Sequence, residues 1–490
     1  MDPFVDSEYL RSAGRALKVP FHLHLRCNGR LTELVCTRVM RVLPGKRLVC
    51  LGEWNDHQVV AKIFLESSCA KRHCAREENG VRALREASIK TPDLLFKGLL
   101  VPDSTPVLGF RRIIPVQEFA EVWRQASSVE QRGEYLCRTA AIIADQHEAG
   151  LKQDDPHPGN FLLAGDDIYT IDGDAVESGR MGKPLSEAKS LRNLGLFFAQ
   201  FYPQFEHLIP SALQEYAEKR LWSAGPGLYL RLMKEVRSQG DRRKKDYLKK
   251  IYRESSPFVR RKSWNSFMVC DREFYNEEMI RFLSDPDQVI DESRLLKKGN
   301  TSTVALVGIR GKRMVVKRYN IKSTRHGLGR CFRRSRAWIT WRNSHRLVFL
   351  GIPTAKPIAF LEKRWGPFRS KAYFVMEYVD GVDLHHLFHS GMAKEIDKED
   401  LAKQFGGLFQ LLANASISHG DCKATNFIAA NGGLAIIDLD AMREHRLGWR
   451  SRRAFRRDLE RLMQNWEDLP EVENIFREEL KNFFLDQKQS

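Results

Sequence analysis

Two short segments of the chain place the same reactive side chains at the same intervals. The first reads Gln153-Asp154-Asp155-Pro156-His157-Pro158-Gly159-Asn160-Phe161 and the second His419-Gly420-Asp421-Cys422-Lys423-Ala424-Thr425-Asn426-Phe427. In each, an Asp precedes an Asn by five. Twelve residues after each Asn comes another Asp, in Ile171-Asp172-Gly173-Asp174 and Ile437-Asp438-Leu439-Asp440. The offset between the copies is 266 throughout. An acid, an amide and a second acid in this order suit phosphoryl transfer from a nucleotide. The first acid takes the acceptor's hydroxyl proton, and the amide and second acid offer hard oxygens to Mg²⁺. The chemistry also needs a lysine for the phosphates. Lys62, in Val59-Val60-Ala61-Lys62-Ile63-Phe64, and Lys317, in Met314-Val315-Val316-Lys317-Arg318-Tyr319, each lie in a β-branched run upstream of their copy.

This is the order of parts in protein kinases: a strand-borne Lys, a loop Asp-x-x-x-x-Asn, then Asp. In the second copy Asp421 is the candidate base, Asn426 and Asp438 the metal ligands, and Lys317 the phosphate lysine. His419-x-Asp421-x-Lys423-x-x-Asn426 fits the kinase catalytic-loop pattern, which makes Lys423 a further candidate for cofactor binding. Gly299-Asn300-Thr301-Ser302-Thr303-Val304 could form a reduced phosphate loop. Val375-Met376-Glu377-Tyr378-Val379 resembles a kinase hinge, with Glu377 and Val379 reading adenine through their backbone. In the first copy Asp155 is the candidate base, Asn160 and Asp172 the metal ligands, and Lys62 the phosphate lysine. Glu77 shares a helical face with Val81 and Leu84, so it is preferred over Glu78 or Glu86 as the partner of Lys62. Gln153 stands where the second copy has His419, and His157 where it has Lys423. Leu43-Pro44-Gly45-Lys46-Arg47 holds a single glycine and makes a poor phosphate loop. The second copy departs differently. No Asp or Glu occurs between Arg318 and Leu361. Lys317 must then pair with Asp438, with a distant acid, or with nothing until nucleotide arrives.

These motifs need strands to carry the lysines and helices to brace the loops. β-branched enrichment marks the strands. Pro-bearing breaks at Thr91-Pro92-Asp93 and Gly351-Ile352-Pro353-Thr354 separate helical stretches from further strands. In the second copy Leu328, Phe332, Ser335, Trp338 and Ile339 fall near one helical face, with Arg330, Arg333, Arg334 and Arg336 largely elsewhere. The expected fold is α+β, with two tandem protein-kinase-like domains, each a small mainly β N-lobe and a mainly helical C-lobe. The first domain is expected over 1–225 and the second over 286–490. A basic helical connector, with the tail of the first domain, is expected over 226–285. Trp338 and Trp341 read as packing residues, and His147 and His419 as structural ones.

The 490 residues carry 80 Lys plus Arg against 62 Asp plus Glu, a formal net charge of +18. Three segments hold the excess: 231–262 at net +9, 310–346 at net +13 and 443–461 at net +5, leaving the rest mildly acidic. Such patches suit phosphate, acidic lipid or nucleic acid. No recognition helix, RNA-binding signature or zinc module accompanies them, so nucleic acid is not the expected partner. The nine cysteines form no Cys-x-x-Cys pair, which excludes a disulfide scaffold and a zinc ribbon. No apolar run approaches the roughly 18 residues of a membrane span. The thiols read as free, so a reducing, cytosolic setting is expected, and the opening Met1-Asp2-Pro3-Phe4 reads as lacking the basic and apolar regions of a secretory signal.

The motifs resemble those of the bacterial lipopolysaccharide core kinases, the Kdo and heptose kinase group, which share the protein-kinase fold. Val316-Lys317-Arg318-Tyr319-Asn320, Ser335-Arg336-Ala337, His419-Gly420-Asp421 through Asn426, Ile437-Asp438-Leu439-Asp440, and Arg457-Asp458-Leu459 with Trp466 carry the likeness. It covers the second half almost end to end. The first half is covered through Lys62, Asp155 to Asn160 and Asp172. Its loop also resembles that of atypical kinases of the ubiquinone-biosynthesis group. The double-length plan resembles tandem kinase-like proteins encoded among pseudomonad lipopolysaccharide core genes. The resemblance implies ATP and Mg²⁺ as cofactors and a core-sugar hydroxyl, of heptose or Kdo, as acceptor. It implies a cytoplasmic protein held at the inner face of the inner membrane, its basic patches against anionic lipid and lipopolysaccharide core glycolipid. The competing reading is a pseudokinase-type scaffold or regulator of envelope glycolipid assembly.

Overall fold

Alternation of apolar and polar residues in Phe21-His22-Leu23-His24-Leu25-Arg26-Cys27 sends Phe21, Leu23, Leu25 and Cys27 to one side, and all four are buried. That strand opens the first of two compact units in this computed structural model, which describes residues 4–178, 182–320, 334–390, 397–430 and 432–485. One unit comprises Met1–Phe201 with Phe205–Asp241, the other Tyr202–Gln204 with Arg242–Ser490. The predicted helical face loses Leu328, Phe332, Arg330 and Arg333 to the segment outside the described residues.

In the first unit six antiparallel strands form a closed barrel: β1 (Phe21–Cys27), β2 (Arg30–Leu43), β3 (Arg47–Trp54), β4 (His57–Phe64), β5 (Leu94–Leu100) and β6 (Thr105–Arg111), in the order β1-β2-β3-β4-β6-β5. Pairing of Leu25 with Leu100 closes it, so the barrel leaves no free edge. Leu23, Leu34, Cys50, Ala61 and Ile63 fill the interior. Between β4 and β5 runs the helix Ala70–Glu86. A helical half follows, with helices Val129–Glu148, Glu187–Phe198 and Ile209–Lys219 packed around Phe119, Phe161, Phe197 and Tyr216. Two short hairpin pairings, Leu151–Gln153 with Val176–Ser178 and Phe161–Ala164 with Asp167–Thr170, frame the loops that carry Asp155, Asn160 and Asp172.

Residues 226–285 comprise the helix Pro226–Lys250, inside which the unit boundary falls, and then two strands of the second unit's sheet. That sheet has seven antiparallel strands: β7 (Phe258–Lys262), β8 (Ser266–Asp271), β9 (Arg294–Lys298), β10 (Ser302–Ile309), β11 (Lys312–Tyr319), β12 (Pro357–Trp365) and β13 (Phe368–Glu377), in the order β7-β8-β12-β13-β11-β10-β9. The helix Arg336–Leu350 packs on it through Ala337 and Trp341, against Phe360 and Phe374. Trp341 is fully buried and its indole N–H donates to the Ile251 carbonyl (3.1 Å). Trp338 stacks on Tyr252. The helices Lys398–Asn414, Gly448–Met463 and Pro470–Glu479 then enclose Phe405, Phe427, Leu459, Trp466 and Phe476. Both units thus run from a sheet to a helical half, an α+β plan.

Candidate active site

In the first unit β4 carries Lys62 and the following helix carries Glu77. Lys62 Nζ lies 2.6 Å from Glu77 Oε1 and 3.5 Å from Asp172 Oδ1. Glu77 is only 1 % exposed. A buried carboxylate needs donors, and it has them: besides Lys62, the backbone N–H of Gly173 donates to Oε1 and that of Asp174 to Oε2, both at 3.1 Å. The helix comes this near because two glycines face each other. A Cβ on Gly80 would sit 2.0 Å from the Gly173 carbonyl oxygen, and one on Gly173 2.4 Å from the Glu77 carbonyl oxygen. Asp172 itself adopts a left-handed backbone (φ 70°), which turns the chain into this contact.

The loop ahead of Asp172 is braced from behind. The Gln153 amide donates to the Ile171 carbonyl (2.8 Å), and the Asn160 amide to the Asp155 carbonyl (2.9 Å). The Ile171 N–H donates to the Asn160 carbonyl (2.9 Å). With its nitrogen so used, Asn160 has its amide oxygen left over as an acceptor. The Asp155 carboxylate is exposed. His157 turns back on its own loop, where Nδ1 accepts from the Gly159 N–H (3.0 Å).

The second unit repeats these bonds around Asp421, Asn426 and Asp438. His419 Nε2 donates to the Ile437 carbonyl (3.1 Å), the Asn426 amide to the Asp421 carbonyl (2.8 Å), and the Ile437 N–H to the Asn426 carbonyl (2.9 Å). Asp438 is again left-handed (φ 60°). A carbonyl only accepts, and His419 Nδ1 accepts from the Asp421 N–H (3.3 Å), so the ring is the Nε2–H tautomer. Gln153 replaces that ring without losing its donor: the amide N–H fills the position of Nε2–H. Gln153 Oε1 is left buried without a partner, where the ring would have offered Nδ1. Lys423 Nζ lies 3.0 Å from Asp421 Oδ2.

The missing glutamate is answered in the second unit by a change of polarity. Asn343, on the helix Arg336–Leu350, donates to the carbonyls of Leu439 (2.8 Å) and Met442 (3.1 Å). An amide giving to carbonyls holds this turn where an acid taking from N–H groups holds the first. Lys317, buried, is then left to Asp438, with Nζ 2.5 Å from Oδ1. Burial raises the Asp438 carboxyl, but the charge and hydrogen bond of Lys317 outweigh it, and Asp438 lies below the usual carboxylate range.

Several residues that position the site were not singled out from the sequence. Asp174 and Asp440, two residues beyond each metal-ligand candidate, are both tied by arginine: Arg47 and Arg76 reach Asp174, and Arg336 Nε lies 2.6 Å from Asp440 Oδ2. Their signal was the second Asp of each Asp-x-Asp. Asp458 accepts the N–H groups of His419 (2.7 Å) and Gly420 (2.9 Å) and so fixes the start of the loop that carries Asp421 and Asn426. Burial pushes its carboxyl up, against the opposing effect of His419 and those two N–H groups. In the first unit Asn193 replaces it, donating to the Gln153 carbonyl (2.6 Å) and meeting His147 Nε2 (2.9 Å).

Glu377 ends β13 and Val379 lies just beyond, between the sheet and the helical half. Gly299 closes a tight turn between β9 and β10, where its N–H donates to the Ser302 carbonyl (3.1 Å). Among the described residues no group of three or more His, Cys, Asp or Glu could hold a metal alone. One carboxylate and one amide oxygen in each unit fit Mg²⁺ that keeps phosphate and water oxygens as its other ligands. An open cavity of about 360 Å³ beside Arg85, Ile89 and Thr91 contains none of these side chains.

Residues 281–482 match the family model of the lipopolysaccharide kinase (Kdo/WaaP) family. The match lies in the second part of the chain, over the segment that carries Lys317, Asp421, Asn426 and Asp438. No curated protein matches the chain in sequence. Among solved structures, WaaP in complex with acyl carrier protein is similar at 17% identity, over 41% of this chain and 88% of that one, with a TM-score of 0.32. A rhoptry kinase from Toxoplasma gondii is similar at 10% identity, over 49% of this chain and 91% of that one, with a TM-score of 0.33.

Proposed function

We propose that the protein is an ATP-dependent kinase, built of two tandem kinase-like domains, that phosphorylates a heptose or Kdo hydroxyl of the lipopolysaccharide inner core at the cytosolic face of the inner membrane. The observation that carries this reading is the repeated bond pattern around Asp155, Asn160 and Asp172 and around Asp421, Asn426 and Asp438, together with the family match over the second set. Asp421 accepts the acceptor's hydroxyl proton, Asn426 and Asp438 hold Mg²⁺, and Lys317 exchanges Asp438 for the α- and β-phosphates. Lys423, beside Asp421, faces the transferring group. Glu377 and Val379 offer their backbone to adenine. Asp155, Asn160, Asp172 and Lys62 take the same roles in the first unit, with Lys62 already oriented by Glu77. ATP with Mg²⁺ supplies the electrophilic phosphorus, and the chain's own groups orient the hydroxyl and take its proton.

The test is phosphate transfer from ATP to dephosphorylated core lipid by the purified full chain. Asp421→Asn is expected to lower the rate at least 100-fold, at the lower end of what a general base contributes. Asp155→Asn measures the first unit's share in the same assay. Undiminished transfer by the double variant would refute the proposal. One observation favours the scaffold reading: Lys317 already occupies the Asp438 carboxylate. That reading requires that Mg²⁺ and ATP together produce no thermal shift in either unit.

A further inference from the structure

The segment 310–346 dominates the net charge, yet many of its described cations are spent inside the second unit. Arg313 pairs with Asp380, Arg318 with Asp287, Lys317 with Asp438, Arg336 with Asp440 and Arg346 with Glu444. The surface best fitted to a membrane lies elsewhere, at the tips of two adjoining hairpins. The β7–β8 turn carries Trp264, and the β12–β13 turn is Trp365-Gly366-Pro367-Phe368. Pairing of β8 with β12 brings the turns together. The Gly366 N–H donates to the Trp264 carbonyl (3.0 Å), and the Arg364 N–H to the Asn265 carbonyl (2.8 Å). The Trp264 ring lies against Gly366, where a Cβ would come within 2.9 Å of it on a left-handed backbone (φ +58°). Trp365 and Phe368 stack at 6.1 Å.

Trp264 and Trp365 are each 69 % exposed. The sheet does not need them, because Phe267, Phe360 and Phe374 already fill the core beneath. Adjoining exposed indoles on a folded chain mark a contact surface. The charge around them is one-sided. Residues 260–266 and 362–371 carry seven basic side chains and one acid. That acid, Glu362, is fully buried and shared by Arg364 and Arg369. What faces outward is indole and phenyl fringed by the exposed Arg261 and Lys262, with Lys363 half-buried over the Tyr373 ring. Indole rings settle at the headgroup level of a bilayer, and cations beside them are drawn to anionic lipid. Among the described residues no helix is long and apolar enough to cross a membrane.

We infer that this double hairpin tip inserts into the interfacial layer of an anionic phospholipid bilayer. The inference deepens the membrane part of the proposed function and needs no phosphoryl transfer. It also sets a height for the site. Lys317 lies opposite Phe374 on β13, six residues from Phe368, so the phosphate lysine stands about 20 Å along the strand from the inserted turn.

The test uses the full chain without nucleotide. It is floated with vesicles of phosphatidylcholine containing about 30% phosphatidylglycerol, and with phosphatidylcholine alone, at low and physiological salt. The wild-type chain is expected to bind the anionic vesicles and to lose tryptophan fluorescence to lipids brominated on the acyl chain. Trp264→Ser with Trp365→Ser is expected to weaken binding at least tenfold and abolish the quenching, with unchanged thermal melting. Equal binding and quenching by the double variant would overturn the inference. So would a wild-type chain that ignores the vesicles but binds a soluble core oligosaccharide or single-stranded DNA through these tryptophans. Because no nucleotide is present, an inactive kinase leaves this result intact, and failure to bind vesicles leaves the Asp421→Asn test intact.

Discussion

The contact between Gly80 and Gly173 offers a sharp test of how the first unit is assembled. Gly80→Ala adds one methyl group to the helix Ala70–Glu86. That carbon would lie 2.0, 2.7 and 2.9 Å from the carbonyl oxygen, carbonyl carbon and Cα of Gly173, all backbone atoms that no rotamer can move. Ordinary contact begins near 3.4 Å, so helix and turn must separate by about 1.4 Å. Moved by that much, the 3.1 Å bonds from the Gly173 and Asp174 N–H groups to Glu77 stretch to as much as about 4.5 Å and are lost. Hydrogen bonds to a charged group contribute about 1.5–3 kcal/mol each, and overpacking costs about 1–3 kcal/mol, so with partial relaxation the expected loss is about 3–5 kcal/mol. The assay is urea denaturation of the full chain, followed by a probe in the first unit, with Mg²⁺–ATP binding by calorimetry alongside. Gly240→Ala is the internal control. It makes the same change on another helix of the same unit, where nothing lies within 4 Å, and should stabilise by about 0.5–1 kcal/mol. If Gly80→Ala proves as harmless as Gly240→Ala, the helix does not hold the Asp172 turn in this way and the assigned role of Glu77 falls.

Other consequences are open to simpler measurements. Gln153→Leu orphans the Ile171 carbonyl and should cost about 1–3 kcal/mol in denaturant unfolding, whereas Gln153→His restores a ring with both a donor and an acceptor and should cost nothing. Asn343→Ala leaves the Leu439 and Met442 carbonyls without their donor, and an expected loss of about 2–4 kcal/mol should come with weaker nucleotide binding in the second unit. Burial holds His147 and His345 neutral, with pKa values lowered to about 4 and about 3. The unfolded rings take up protons below about 6.5, so stability is full above that pH and falls on acidification, by about 1.4 kcal/mol per pH unit per ring, until pH approaches each folded value. His147→Asn should reduce the slope of unfolding free energy between pH 6.5 and 5 by that amount, and an unchanged slope would show that the ring is not buried neutral.

The repeat with its offset of 266 was readable from the sequence because the motif residues lie on short loops of fixed length, where geometry demands particular side chains at particular intervals. Glu77 was readable because a helix puts i, i+4 and i+7 on one face, and Glu77, Val81 and Leu84 are all buried. The strand character of Lys62 and Lys317 followed from β-branched neighbours. Closure of the barrel was not readable, since it rests on pairing between β1 and β5, about 75 residues apart in the chain. The strands Phe258–Lys262 and Ser266–Asp271 were hidden inside a segment whose basic residues spoke more loudly than its alternation. The acid-free stretch after Arg318 said that no glutamate of the following helix could pair with Lys317. It did not say that Asn343 would hold the turn from its carbonyl side, because an amide can donate or accept and only the neighbouring backbone decides which.

The sequence by itself thus determined which groups are available for chemistry: a lysine, a candidate base and two candidate metal ligands in each half, in the order that phosphoryl transfer would use. Tertiary structure decided what each charge meets. It set Lys62 against Glu77 and Lys317 against Asp438, drew five cations of the +13 segment into ion pairs of the second unit, and left two tryptophans at the tips of adjoining hairpins. The division has a physical cause. Residue type and spacing are local properties, whereas the energy of a charge or an exposed ring depends on which atoms, brought from distant parts of the chain, surround it.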